Sequence, residues 1–229
     1  MIDFNSYFNR QIQLWGEDTQ RSLQSKKIAI IGCGGLGCSI AISLGASGIG
    51  HIDLVDFDEV GVHNIHRQIG FKVGDEGSKK CDVLGALLKD RCPFVEVNSF
   101  DSDFENFIKD NNTKYDLILD ATDNLPVRAL INEYCKENSI PWIYGSVEQF
   151  HGQVCFFKDS SFSSVFTISD HKPAGITAPI VIHIASLQAN LALRYLANLS
   201  VQADKLYYLS FNNEGELDTK KFNLPKEEV

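Results

Sequence analysis

Three absences narrow what this 229-residue chain can do: it has no Cys-x-x-Cys pair, no apolar run long enough to span a bilayer, and no surplus of basic residues. Its six cysteines, Cys33, Cys38, Cys81, Cys92, Cys135 and Cys155, stand singly. Common zinc sites draw on closely spaced cysteine pairs, so no zinc site is expected. A disulfide framework is equally unexpected in a chain of this size without a secretion signal, and the six read as small buried or half-buried apolar residues. The polar N-terminus, Met-Ile-Asp-Phe-Asn-Ser-Tyr-Phe-Asn-Arg, lacks the apolar core of a signal peptide. The cytoplasm is therefore the expected compartment, with no membrane partner. Lys and Arg number 21 against 30 Asp and Glu, a formal net charge of −9, and the basic residues are scattered. Nucleic-acid surfaces need clustered Lys and Arg, so nucleic acid is not expected as a partner.

An apolar fraction of 44% suits a globular chain with a real core. The length suits one domain, divided as an N-terminal helical arm over 1–26, a nucleotide-binding core over 27–150, and a crossing loop, long helix and closing strands over 151–229. Apolar residues recurring without proline predict a helix over 6–23. Strands are expected over 27–31, 51–56, 95–99, 115–121 and 142–146, and helices over 36–47, 79–91, 104–111 and 125–138. The 36–47 helix is rich in small residues, and Gly45, Gly48 and Gly50 punctuate its end. Between the second strand and the 79–91 helix, 58–76 reads as a long loop, which in a compact domain is usually functional. Strands alternating with helices predict an α/β fold with a Rossmann-like, doubly wound, mainly parallel sheet. After residue 146 the rhythm changes. A strand over 152–157 follows too closely for a helical crossover, 159–178 has no period, a helix is expected over 180–196, and a hairpin closes around Asn212-Asn213-Glu214-Gly215.

The chemistry concentrates at the ends of the predicted strands. The run Lys27-Ile-Ala-Ile-Ile-Gly32-Cys33-Gly34-Gly35-Leu36-Gly37 is a strand, a tight turn and a helix start, the arrangement that turns backbone N–H groups toward a phosphate. Gly32, Gly34, Gly35 and Gly37 let backbone approach a nucleotide; the alternative is a glycine turn with no ligand. Asp56, closing the second strand, is placed to accept from ribose hydroxyls, against the alternative of a solvated strand-end aspartate. In the following loop Arg67 can grip phosphate oxygens and Asn64 can add a neutral donor; the alternative pairs Arg67 with Asp58 or Glu59. Lys80 follows a helix-start signal and can set an ammonium on the same phosphates, with its neighbour Lys79 as the decoy. Asp123, past a buried strand, is the carboxylate suited to Mg2+ beside a triphosphate. Asp120 and Asn124 flank it, and either can be structural. His63 and His66 are spaced to meet on a helical turn, but only Asp58 is a ready third ligand, so polar loop histidines are the simpler reading.

Taken in order, Asn9-Arg10-Gln11-Ile12, Gly32-x-Gly-Gly-x-Gly, Val55-Asp56-x-Asp58, Asn64-x-x-Arg67-Gln68, Gly77-x-x-Lys80 and Thr122-Asp123-Asn124 resemble the ThiF/MoeB/HesA family, the bacterial relatives of ubiquitin-activating enzymes. The resemblance runs from about Tyr7 to about Leu196. It implies ATP-dependent adenylation, with Mg2+, of the C-terminal glycine of a ubiquitin-like sulfur-carrier protein ending in Gly-Gly, with release of pyrophosphate, in thiamine or molybdopterin biosynthesis. It implies that Asp56 holds the ribose, that Asn64, Arg67 and Lys80 hold phosphates, and that Asp123 serves magnesium. Gly32, Gly34, Gly35, Gly37, Asp58, Gln68 and Asn124 complete the expected nucleotide site. Arg10 is implied to reach the ATP of the other subunit, making the active unit a homodimer, and the late strands are implied to face the carrier.

The chain departs from the family in two ways. The two zinc-binding Cys-x-x-Cys pairs of many members are missing, and the position of the crossover-loop cysteine that bonds the carrier in some members falls on His171. Cys155 is a substitute only if exposed, which a strand position opposes. Two other readings compete: a non-catalytic partner subunit, suggested by Gln13-Leu14-Trp15-Gly16, and an NAD-dependent oxidoreductase. The first has no use for Arg67, Lys80 and Asp123, and the second leaves them idle. A tRNA-modifying relative is disfavoured by the acidic charge.

Overall fold

The computed structural model describes residues 2–167 and 174–226. Three short helices, α1 (Phe4–Tyr7), α2 (Asn9–Trp15) and α3 (Glu17–Ser22), open the chain. The alternating core follows as β1 (Lys27–Ile31), α4 (Gly35–Ala46), β2 (His51–Val55), α5 (Lys80–Arg91), β3 (Glu96–Phe100), α6 (Phe104–Asp110), β4 (Leu117–Asp120), α7 (Leu125–Glu137) and β5 (Trp142–Glu148). The chain continues as β6 (His151–Phe157), α8 (Ala178–Leu196), β7 (Lys205–Phe211) and β8 (Leu217–Asn223).

These strands form one eight-stranded sheet in the order β3-β2-β1-β4-β5-β6-β7-β8. The pairs from β3 to β5 are parallel, with Lys27 opposite His51 and Ile28 opposite Leu117. From β5 onward they are antiparallel, because β5 and β6 are joined by a turn too short for a crossover. Side chains alternate across a strand, so each parallel strand feeds two cores. Ile28, Ile30, Ile52, Leu54, Leu117 and Leu119 pack with residues of α4, α5 and α8. Ala29, Ile31, Val55 and Ile118 pack with Phe104 and Phe107 of α6 and Ile131 of α7. Burial on both faces explains why β1 and β4 are nearly continuous apolar runs.

The single helix expected over 6–23 is instead three. Gly16 adopts φ +87, a conformation a helix interior does not tolerate, and its N–H closes α2 on the Ile12 carbonyl. Phe8, between α1 and α2, is buried against the rings of Phe4, Tyr7 and Phe94. The apolar spacing runs on through the break, and periodicity alone does not register it.

Beyond the core, β7 and β8 form the expected hairpin, with Gly215 at φ +81 in its turn. Every residue of β8 is exposed. His171 lies outside the described residues. No helix among the described residues is long and apolar enough to cross a membrane.

Candidate functional site

The chain leaves β1 toward β2 and β3 on one side of the sheet and returns on the other side with β4 and β5. Connections diverge where β1 and β4 lie side by side, and doubly wound sheets bind ligands at the carboxyl ends of such strands. The ends of β1, β2 and β4 carry Gly32, Asp56 and Ala121 respectively, so three of the predicted segments meet at this edge.

Tight packing, rather than flexibility alone, dictates the glycine run. Gly32 has φ +96, and a Cβ there would stand 2.7 Å from the Ala121 carbonyl oxygen. A Cβ on Gly37 would fall 1.9 Å from the Gly32 oxygen, and one on Gly35 would fall 2.7 Å from Val181 Cγ1 of α8. At Gly34 a Cβ would meet only Gln68 Nε2, at 3.5 Å. Gly32, Gly35 and Gly37 thus let loop, strand end and helix pack closely, and Gly34 keeps its outer face bare. The first turn of α4 follows directly, and N–H groups of a helix's first turn have no intrahelical acceptor. Their partial positive charge favours an anion.

Asp56 is half-buried and receives two backbone donors, Cys33 N–H at 2.6 Å on Oδ2 and Asp58 N–H at 2.8 Å on Oδ1. Burial pushes its carboxyl above the usual aspartate range, with those two donors and Lys80 pulling the other way. Its oxygens therefore tie the glycine turn to the end of β2 while keeping lone pairs for a ligand hydroxyl. This is not the freely solvated aspartate of the alternative reading.

The loop after β2 forms a 3₁₀ turn, Val62–Asn64, that brings Asn64 under Arg67. Asn64 Oδ1 accepts from Arg67 Nη2 at 3.0 Å, and Arg67 Nη1 lies 3.0 Å from His66 Nε2. Among the described residues Arg67 has no carboxylate at ion-pair distance, so it is not paired with Asp58 or Glu59. Gln68 is buried, and its Oε1 finds no hydrogen-bond donor among the described residues. A buried amide oxygen without a donor is costly, and one beside a glycine loop fits a ligand that brings a donor.

The two lysines separate cleanly. Lys80 begins α5 and is only 5% exposed. Its Nζ lies 2.7 Å from Asp58 Oδ2, and that carboxylate is half-exposed. The Lys79 ammonium turns instead to Asp101 at 3.3 Å, Glu59 at 3.7 Å and the Phe57 carbonyl at 3.1 Å. Only Lys80 shares an aspartate with the β2 end of the site.

On the β4 side, Asp123 is exposed, with no hydrogen-bond or ion-pair partner among the described residues. A hard oxygen donor in that state suits a hard cation. Asn124 caps α7, its Oδ1 accepting from Val127 N–H at 3.2 Å. Asp120 is wholly buried and engages Arg128 Nε at 3.0 Å and the Thr122 N–H and hydroxyl at 2.9 and 2.6 Å. Asp120 therefore supports the turn instead of facing a ligand.

Arg128 is a site residue that the sequence motifs do not mark, since it stands in a helix where arginines usually face water. A usable cue existed: an aspartate ending a fully apolar strand needs a partner, and Arg128 is the next basic residue in the chain.

Arg10 is not brought to this edge. It is exposed on α2, and its one bond among the described residues is to Gln13 Oε1 at 3.4 Å. Gln11 and Gln20 of the same arm donate to the Ser47 carbonyl at the C-terminal end of α4. The candidate site lies at the N-terminal end of α4, about 18 Å away along a helix of this length.

All six cysteines are buried, Cys155 fully. His63 and His66 gather no third ligand, and no cluster of three metal-binding side chains occurs among the described residues. Two surface grooves, one including Asp82, Lys89 and Phe100 and the other Phe150, His151 and Phe211, hold none of the predicted nucleotide ligands. The donor set, not the depth of a cleft, marks the site.

The model of the ThiF family matches residues 8–228. The chain belongs to the ThiF family. This ThiF-family chain is 32% identical over 213 residues to the molybdopterin-synthase adenylyltransferase of Escherichia coli (strain K12), covering 83% of this chain and 81% of that one. It is also 32% identical over 194 residues to the adenylyltransferase and sulfurtransferase MOCS3 of Dictyostelium discoideum, covering 80% of this chain and 46% of that one. The chain thus spans about half the length of such curated relatives, the Caenorhabditis briggsae MOCS3 being covered to 56%. Among solved structures, E. coli MccB with ATP superposes at a TM-score of 0.84 and 21% identity, over 97% of this chain and 72% of that one. This likeness establishes the fold of the ThiF-family chain as Rossmann-like.

Proposed function

We propose that this chain activates a carboxylate by adenylation, transferring AMP from ATP to the C-terminal glycine of a ubiquitin-like sulfur-carrier protein ending in Gly-Gly, in thiamine or molybdopterin biosynthesis. One observation carries the reading: phosphate donors and a lone carboxylate converge on a glycine loop at one sheet edge. Arg67, held by Asn64, the buried Lys80 and the first-turn N–H groups of α4 supply more positive character than a redox dinucleotide requires. Asp56 would take the ribose, and the Gln68 oxygen would accept from the nucleotide. Adenylyltransferase names among relatives of similar length support the same chemistry.

In this reaction a carboxylate oxygen of the carrier attacks the α-phosphorus of ATP. The bond from that phosphorus to the oxygen bridging the β-phosphate breaks, and pyrophosphate leaves with the electron pair. The nucleophile is ionised at neutral pH, so no general base is needed. The protein contributes positioning and charge neutralisation. Arg67 and Lys80 would offset charge on the phosphates. Asp123 would hold Mg2+, which supplies further neutralisation of the leaving group when bound. Arg10, remote from the site of its own chain, would act on the site of a second copy, which makes a homodimer the working unit.

The test is ATP–pyrophosphate exchange with candidate carriers ending in Gly-Gly. Exchange that depends on one carrier and on Mg2+ is the expected result. Tight ATP binding without exchange for any carrier would refute catalysis and favour a non-catalytic partner subunit.

A further inference from the structure

Thr122 has every polar group engaged. Its N–H and hydroxyl donate to Asp120 Oδ1 at 2.9 and 2.6 Å, and its carbonyl accepts from Arg128 Nη2 at 2.5 Å. The same Nη2 reaches the Gly145 carbonyl of β5 at 3.2 Å, while Arg128 Nε is 3.0 Å from Asp120 Oδ2. The guanidinium also lies 5.1 Å from the centroid of the Tyr144 ring. From α8, Gln188 Nε2 donates to the Asp120 carbonyl at 2.7 Å, with its amide in the space left open by the missing side chain of Gly145. Four elements, β4, β5, α7 and α8, thus converge on one buried ion pair.

This hub adjoins the site on two sides. Thr122 is bonded directly to Asp123, and the Ala121 carbonyl is the wall against which Gly32 is packed. A buried ion pair is weak evidence of stabilisation, since apolar residues of similar volume often serve as well. It becomes informative where it fixes one geometry, and a planar guanidinium with several donors can fix a turn that an ammonium cannot.

We infer that Arg128 is a positioning residue of the nucleotide site: through Asp120 and Thr122 it holds the 120–123 turn in the form that presents Asp123. The inference rests on the assignment of Asp123 to Mg2+ made above. Arg128 itself is buried and directed at Asp120, Thr122 and Gly145, away from any ligand role. It acts as partners of metal ligands generally do, by removing the orientational freedom of the group that binds.

The experiment measures ATP affinity of the full chain by calorimetry, once with Mg2+ and once with EDTA, and follows folding by circular dichroism. In Arg128→Lys, MgATP affinity should fall about tenfold while metal-free ATP affinity stays within about twofold. Thr122→Val removes only one bond to Asp120 and should lower MgATP affinity by about threefold; it carries the test if Arg128→Lys does not fold. In an Asp123→Ala background, Arg128→Lys should add less than about twofold, because the group being positioned is gone. Equal losses with and without Mg2+, or a full loss repeated on top of Asp123→Ala, would make Arg128 a scaffold residue and overturn the inference. Wild-type ATP affinity that ignores Mg2+ would instead refute the assignment of Asp123, visible before any variant is made, and this inference with it.

Discussion

Exchanging Gly37 for alanine separates the packing role of the glycine run from its binding role. Gly37 sits in the first turn of α4, where alanine is favoured over glycine by about 1 kcal/mol on helix propensity alone. Against this, the new Cβ would stand 1.9 Å from the Gly32 carbonyl oxygen and 2.9 Å from its carbon. The oxygen belongs to a residue already wedged against Ala121, so it cannot rotate away as a flexible side chain would. Overpacking of this kind costs about 3 kcal/mol, leaving a net loss of about 2 kcal/mol. For a chain of this size that lowers the melting temperature by about 4–8 °C. Gly34→Ala is the control, because its Cβ would make only an ordinary contact with Gln68. Its stability should change by less than about 0.5 kcal/mol, while ATP affinity falls at least about tenfold, since the methyl fills the face offered to phosphate. Thermal unfolding and calorimetric ATP binding, run on both variants, read the two effects separately. A Gly37→Ala protein melting with the wild type would refute the steric argument. Unchanged ATP affinity in Gly34→Ala would remove the phosphates from this loop.

Lys80→Ala should lower exchange activity about a hundredfold or more, and Lys79→Ala less than about threefold, because only the first ammonium faces the site; equal losses in steady-state assays would reject that separation. Mixing Arg10→Ala with Asp123→Ala protein, each inactive alone, should restore about a quarter of wild-type exchange, as a mixed dimer keeps one intact site; no recovery after subunit exchange would place Arg10 outside catalysis. Burial pushes the Cys38 thiol up to about 12 and the Cys81 thiol up to about 11. At pH 8 both are protonated and inert. Ellman's reagent should therefore find almost no thiols in the native protein and all six in guanidinium; rapid native labelling would contradict the burial.

Much of the fold is legible in the order of residues, because its signals are local. Apolar runs such as 27–31 and 117–120 stop at glycine or polar residues, and the intervening helices carry their own caps. Asp103 and Asn124, for example, accept from N–H groups three residues ahead. The β7–β8 hairpin is announced by its turn residues. Where one run of apolar spacing hides a break, as at Phe8 and Gly16, the sequence misleads, since the break is stabilised by contacts with Phe94 and Ser47 far along the chain.

The candidate site divides in the same way. Sequence alone determined the motif order, and with it the family, the glycine loop and the set of charged groups at strand ends. Topology then gathered those groups at one edge, because parallel strands all end on the same edge of the sheet. Only the tertiary structure decided what each side chain does there. It separated Lys80 from Lys79, turned Asn64 toward Arg67, buried Asp120 on Arg128, and put Arg10 at the far end of α4. The lysine and Arg10 outcomes depend on residues that meet across long stretches of chain, and the Asn64 and Asp120 pairings, though close in sequence, depend on how each turn is folded and how far it is removed from water. Desolvation and packing are properties of the assembled fold, and no local pattern of residues encodes them.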